Sequence, residues 1–217
     1  MITNPLIVPL GDQGLLIRFA DVLDDDANRR AVGFAHALMA DPIRGVAEIV
    51  PNLVSVHLRY DPLRLGFAEL AGELRLRLSL NDTEEIRETD PVAIPVRYGG
   101  AEGPDLEEAA KASGLDTKTF VARHAASDLR VLAIGFAPGF AYFGFHRDLP
   151  ALPRRSAVRP RVPEGTILYA AGQTALTATP LPTGWHVIGR TDFRNFDAGT
   201  NPPLKLKAGD RVRFVPQ

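Results

Sequence analysis

The sequence predicts an α+β protein of two domains: a small N-terminal two-layer domain of ββαββα order over residues 1–85, then a β-barrel domain over 86–217. Three observations predict it. The first part of the chain runs twice through one pattern, two strand signals followed by an amphipathic helix. Residues 81–91, NDTEEIRETDP, are polar and acidic and end in proline, as a linker does. From Leu129 onward short β-type runs alternate with Gly and Pro turns, the pattern of a closed or nearly closed barrel.

Leu6 to Leu10 and Leu15 to Ala20 read as strands joined through Gly11-Asp12-Gln13-Gly14, and glycine at both ends of so short a connection is a hairpin signal. Asp24-Asp25-Asp26 supplies an N-cap and an acidic first turn. Ala31, Phe34, Ala35, Leu38 and Met39 follow at helical spacing until Asp41-Pro42. Val46 to Val50 and Leu53 to Tyr60 form a second strand pair, in which Val54, Val56 and Leu58 alternate with Ser55, His57 and Arg59 to leave one wet face. Phe67, Leu70, Ala71, Leu74 and Leu78 mark the second helix. Beyond the linker, Val92 to Tyr98 is a strand ending in Gly99-Gly100. Pro104 at a helix N1 position, apolar Leu106, Ala109 and Ala110, and a closing Gly114 describe a short helix. Asp116 caps another, with Phe120, Val121, His124 and Ala125 on its buried side. The last segment, LKLKAGDRVRFVP, reads as a hairpin turning on Gly209-Asp210 whose final strand completes the barrel.

Composition narrows the function. Of 217 residues 45% are hydrophobic and 24% charged, and the net charge is −1, which gives no electrostatic footprint for nucleic acid or an anionic membrane. There is no cysteine, so disulfides, thiolate catalysis and cysteine zinc sites are excluded together. The start has no basic segment followed by a long apolar one, and no apolar run approaches the ~20 residues of a membrane span. A cytoplasmic protein is the expectation. The five histidines (His36, His57, His124, His146, His186) include no pair at metal-ligand spacing, so no metal site is expected. Neither GxxxxGK[ST] nor GxSxG occurs.

Glycine, proline and aromatic residues concentrate between Leu132 and Thr191. Gly135, Pro138, Gly139 and Gly144 sit among Phe136, Phe140, Tyr142, Phe143 and Phe145. Arg154, Arg155 and Arg161 follow on a stretch stiffened by Pro153, Pro160 and Pro163; rigidly held planar guanidiniums suit a carboxylate or phosphate, or face solvent or an interface. Gly172-Gln173-Thr174 sets an amide and a hydroxyl beside a glycine, either as a clamp for a carbonyl or amide or as a self-capping turn. Gly184-Trp185-His186 places the lone tryptophan, a core or pocket-wall residue, beside a histidine that is either an acid/base or outward-facing.

In order along the chain, GDQGLLIRF, IPVRYGGAEGPDLEEAA, LAIGFAPGFAYFG, PRRSAVRPRVPEG, GQT, GWHVIGRT, FD and GDRVRFVP resemble the family of 5-oxoprolinase B subunits. That family includes the sporulation kinase inhibitor KipI and allophanate hydrolase subunit 1 proteins, and the domain recurs in the carboxyltransferase region of urea carboxylase. The resemblance implies an N-terminal α+β domain followed by a cyclophilin-like barrel. It implies a hydrolase component, inactive alone, that opens 5-oxoproline to glutamate with subunits C and A, ATP being used in the complex at a site shared between subunits. On that resemblance Arg154, Arg155 and Arg161 would bind the anion and Gln173 and Thr174 the amide. Tyr142 and Trp185 would wall the pocket, with His186 and Gln173 as the catalytic candidates. The sequence departs from the family's usual GFPYLGGL, reading GFAYFGFH at Gly139 to His146, and Ala175 replaces the glycine after GQT. A KipI-like inhibitor of a histidine kinase and a component of a biotin-dependent urea or amide carboxylase, or of an allophanate hydrolase, are the alternatives.

Overall fold

A computed structural model describes residues 5–80 and 90–217. The chain divides into two compact units, Met1–Arg87 and Glu88–Gln217. Nearly all of the expected linker, over 81–91, lies outside the described residues.

The N-terminal unit has the ββαββα order that the sequence predicts: β1 (Leu6–Leu10), β2 (Gly14–Arg18), α1 (Asp25–Ala40), β3 (Val46–Pro51), β4 (Ser55–Tyr60) and α2 (Phe67–Leu80). The strands form one antiparallel sheet in the order β1-β2-β4-β3. Strand alternation turns Leu15, Ile17, Val56 and Leu58 to one face, where Phe34, Ala35 and Leu38 of α1 and Leu70 and Leu74 of α2 bury them. Asp24 caps α1 by accepting from the Ala27 amide at 2.9 Å.

The C-terminal unit is a closed seven-stranded barrel in the order β10-β7-β6-β13-β5-β12-β9. Its strands are β5 (Val92–Tyr98), β6 (Leu129–Ile134), β7 (Ala141–Gly144), β9 (Thr166–Ala170), β10 (Gln173–Leu176), β12 (His186–Arg190) and β13 (Arg211–Pro216). A separate pair, β8 (Arg159–Val162) and β11 (Leu181–Thr183), forms a two-stranded sheet. Two helices, α3 (Leu106–Ala112) and α4 (Thr117–Ala126), lie between β5 and β6 in the chain. Inside the barrel Ile94, Val96, Val131, Phe143, Ile167, Tyr169, Ile188 and Phe214 form the core, and Phe120 of α4 meets Tyr169 edge-on at 5.4 Å. A second cluster, Phe140, Val162, Leu168, Ala170, Ala175, Leu181, Trp185 and Val187, joins residues of β9, β10 and β12 to β8 and β11.

Two details differ from the sequence reading. Helix α3 starts at Leu106 with Asp105 as N-cap, so Pro104 precedes the cap instead of holding N1. The final strand does close the barrel, but not as a hairpin: β13 pairs parallel with β5 and antiparallel with β6. Leu204 to Lys207 do not ladder with it because Asn195 claims them. Its carbonyl accepts from the Lys205 amide at 3.1 Å and its Oδ1 from the Leu206 amide at 2.9 Å.

The same buried Asn195 donates to the Gly139 carbonyl at 2.9 Å and so fixes the loop that enters β7. Gly139 has φ +68, and a Cβ there would lie 2.4 Å from Phe196 Cβ and 2.8 Å from Ala178 Cβ. Gly139→Ala therefore combines a left-handed backbone with overpacking and should destabilise the barrel unit by about 3 kcal/mol, read from denaturant unfolding.

Candidate functional site

Residues directly opposite in an antiparallel ladder share a face. Gln173 opposes Ala170, while His186 opposes Tyr169, which sets the preceding Trp185 level with Ala170. The next row on the same face is Val187, Leu168, Ala175 and Tyr142. This outer face of the barrel has a floor of two fully buried alanines, Ala170 and Ala175, between large side chains. The rings of Tyr142 and Trp185 stand 6.1 Å apart at 64°, and Phe140 stacks edge-on against Tyr142 at 4.8 Å. The row continues to Phe136, a mostly exposed aromatic held at φ +75. That conformation costs a non-glycine residue about 1–2 kcal/mol.

The polar member of the face is Gln173. It is 6% exposed, and its Nε2 is buried without a hydrogen-bond partner among the described residues. Leaving such a group unpaired costs about 1–3 kcal/mol, so a carboxamide in this position is set up to meet an amide or carboxyl group. Arg154 is exposed but near enough for its charge to act on Tyr142: burial pushes the phenol up and Arg154 pulls it part of the way back. Gln173, Tyr142, Trp185 and Arg154 are thus the predicted site residues that the fold brings together.

The other four lie elsewhere. Arg155 is committed to a carboxylate that the sequence analysis did not single out. Asp105, 2% exposed, receives Arg155 at 3.0 Å, Arg159 at 3.1 and 2.5 Å, and the Val187 amide at 2.9 Å. Burial pushes its carboxyl up, but the Arg159 hydrogen bonds, the Val187 amide and the two positive charges bring it below the ordinary value. Arg155 is therefore an anchor for its loop, not a spare anion binder. Arg161 is exposed on β8. His186 faces the interior beside Tyr169 and donates Nε2–H to the Pro153 carbonyl at 3.2 Å, and its Nδ1 is buried without a partner among the described residues. The fold sets it on the opposite side of the sheet from Gln173, so the two do not converge.

Thr174 also points inward, and the amide-plus-hydroxyl clamp of the GQT motif does not form. Its Oγ1 lies 2.8 Å from His124 Nε2 and 2.7 Å from His146 Nε2. His146 Nδ1 meets Ser127 Oγ at 2.9 Å, and Ser127 Oγ donates to the Arg123 carbonyl at 2.9 Å. That carbonyl fixes every proton in the chain. Ser127 has no second hydrogen, so it accepts from His146 Nδ1–H. His146 Nε2 accepts from Thr174, Thr174 from His124 Nε2–H, and His124 Nδ1 from the Tyr98 hydroxyl at 2.7 Å. Burial holds His124 well below its ordinary value, with the charge of His146 adding to it, and burial lowers His146 to about 4. The sequence spacing hid this pair: His124 comes from α4 and His146 from just after β7, with ring centroids 4.9 Å apart.

A family described as "Carboxyltransferase domain, subdomain C and D" matches residues 5–206. A relative from Bacillus subtilis, named as the B subunit of 5-oxoprolinase, is 35% identical, over 96% of this chain and 91% of that protein. The crystal structure of TTHA0988 superimposes with TM-score 0.81 at 35% identity over 94% of this chain, which spans 40% of that one. The Kluyveromyces lactis urea carboxylase structure matches with TM-score 0.79 over 98% of this chain and 22% of its own, at 15% identity, a likeness of fold.

Two outcomes follow from the geometry. Asp105→Ala leaves two guanidiniums without their shared carboxylate and should lower stability by about 3 kcal/mol in denaturant unfolding, with loss of the native near-UV signal of Trp185. The buried histidines give a definite pH response. In the unfolded chain they bind protons below pH ~6.5, but in the folded barrel His146 does so only near about 4. Stability is therefore complete above pH ~6.5 and falls as the pH drops towards 4, by roughly 3 kcal/mol for His146 alone. His146→Gln should flatten that decline in unfolding curves recorded between pH 7 and 4.5.

Proposed function

Because the chain belongs to the carboxyltransferase subdomain C and D family, we propose that it is the B subunit of a cytoplasmic, ATP-dependent 5-oxoprolinase that works with subunits C and A. The near-full-length likeness to proteins named as B subunits of 5-oxoprolinase carries this reading. For a ring amide with a carboxylate, the outer face of the barrel offers matching groups. The Gln173 carboxamide, donor and acceptor in one plane, pairs with the lactam edge. Arg154 meets the carboxylate, and Tyr142 and Trp185 wall the ring. Arg155 and His186 then act as positioning residues, through Asp105 and through the Pro153 carbonyl, which together hold the segment carrying Arg154.

Opening the lactam breaks the ring C–N bond with addition of water, and coupling that step to ATP requires a phosphate-binding element. The described residues include no GxxxxGK[ST] phosphate loop to supply that element. In this reading ATP is held by the partner subunits, and this chain binds and orients the amide. Among the described residues no helix is long and apolar enough to cross a membrane.

The decisive measurement is 5-oxoproline-dependent ATP hydrolysis by this chain, alone and reconstituted with subunits C and A. Activity confined to the full mixture is expected, and Gln173→Ala should reduce kcat/KM at least tenfold while assembly, followed by gel filtration, is unchanged. An assembled complex with no turnover of 5-oxoproline would overturn the reading, and full activity of Gln173→Ala would remove that residue from the site.

A further inference from the structure

The end of the barrel away from Gln173 holds a cavity that the functional reading leaves unused. The ladders that carry Gln173 and Trp185 at one end finish at the other with Thr166, Leu176 and Arg190. There a cavity of about 140 Å³ is lined by Glu164, Thr177, Arg190, Thr191, Phe193 and Arg194. Segments far apart in sequence are packed tightly around it. A Cβ on Gly165 would lie 2.1 Å from the Thr191 carbonyl oxygen, and one on Gly139 would meet Ala178, which also lines the cavity. Glycines that admit no side chain hold the wall in place without filling the space.

The charges around the cavity are mostly paired. Arg194 binds Glu164 at 3.1 Å, and Asp192 is taken by both terminal nitrogens of Arg97, at 2.8 and 3.1 Å. The Thr177 hydroxyl donates to the Pro163 carbonyl and accepts from the Thr166 amide. Thr191 Oγ1 accepts from the Phe193 amide. Arg190 is the exception in hydrogen bonding, although its charge also acts on Asp192. Its Nε donates to the Glu164 carbonyl at 3.2 Å, which fixes the guanidinium in place, while neither terminal nitrogen has a hydrogen-bond or ion-pair partner among the described residues. What the cavity presents, after internal pairing, is one half-buried and immobilised guanidinium fork beside an aromatic ring.

We propose that this cavity is a binding site for a small monocarboxylate held by the terminal nitrogens of Arg190. A planar fork matches the two oxygens of a carboxylate, and the two terminal nitrogens of Arg190 are open to donate to them. The neighbouring carboxylates of Glu164 and Asp192 oppose a more highly charged anion such as phosphate. Water fills about 30 Å³ per molecule, so the space accepts a ligand of about four or five water volumes. The site is separate from the Gln173 face and does not depend on the reading given for it.

The test is an NMR titration of the isolated 217-residue chain with sodium acetate and, separately, sodium phosphate at constant ionic strength. Acetate should shift the amides of Thr177, Thr191 and Phe193 saturably, more tightly than phosphate does. Arg190→Met should raise the Kd at least tenfold, whereas Arg154→Met leaves it unchanged. If Arg190→Met does not fold, Arg190→Lys carries the test: it keeps the charge, loses the fork and should weaken binding at least threefold. Non-saturating shifts, tighter binding of phosphate, or an unchanged Kd in the Arg190 variant that folds would overturn the proposal. No turnover is measured, so an inactive reconstituted enzyme would not bear on the outcome.

Discussion

The barrel unit depends on one buried carboxylate. Asp105 stands at the start of α3, yet it leaves the helix uncapped and spends its oxygens on the Val187 amide, Arg155 and Arg159. That single group ties a helix terminus, a barrel strand and the arginine-bearing loop into one assembly. A carboxylate this deeply buried is tolerated because two guanidiniums neutralise it, and the excess positive charge is shared with Glu108 and with solvent. The position of Arg154, and with it the polarity of the outer face, follows from this tie.

Two strands away in the barrel, β10 is organised by a different kind of polar group. The chain Tyr98–His124–Thr174–His146–Ser127 is neutral throughout: Tyr98 donates into it, and each later member accepts once and donates once. Its direction is imposed by a single helix carbonyl. Asp105 fixes the loop by charge, whereas this chain fixes β10 by satisfied hydrogen bonds in the barrel core. Because Thr174 is held from inside, Gln173 is held facing out.

Local periodicity made much of the fold legible. The doubled ββα pattern, the caps at Asp24 and Asp116 and the Gly/Pro-punctuated barrel were readable because each is decided within a few residues. The segment Leu204 to Lys207 misled because its alternation of leucine and lysine mimics a strand, whereas Asn195, about ten residues away, takes its amides. In the site, Gln173, Tyr142, Trp185 and Arg154 stand out by residue type, and strand parity explains why Thr174 and His186 face the other way. The Asp105 tie and the histidine pair were not legible. Their partners lie 50 and 22 positions apart, from Asp105 to Arg155 and from His124 to His146, and only the closed barrel brings them together. Arg190 lies within a quoted motif, but its pairing state is a property of the fold.

The parallel contact of β13 with β5 has a consequence for how the unit is made. Val92 aligns with Val212, so the seam of the barrel joins residues about 120 positions apart. Every other neighbouring pair is closer in sequence, and all of them except β6 with β13 can form while synthesis continues. The seam cannot. Until β13 leaves the ribosome, β5 and β6 each keep an open edge, and the growing chain carries two half-paired strands of apolar residues. Closure then rests on the most distant pairing in the unit, which is the slow kind of step. Shielding of those edges during translation, by a chaperone or by transient strand pairing, is thus a requirement of the topology itself.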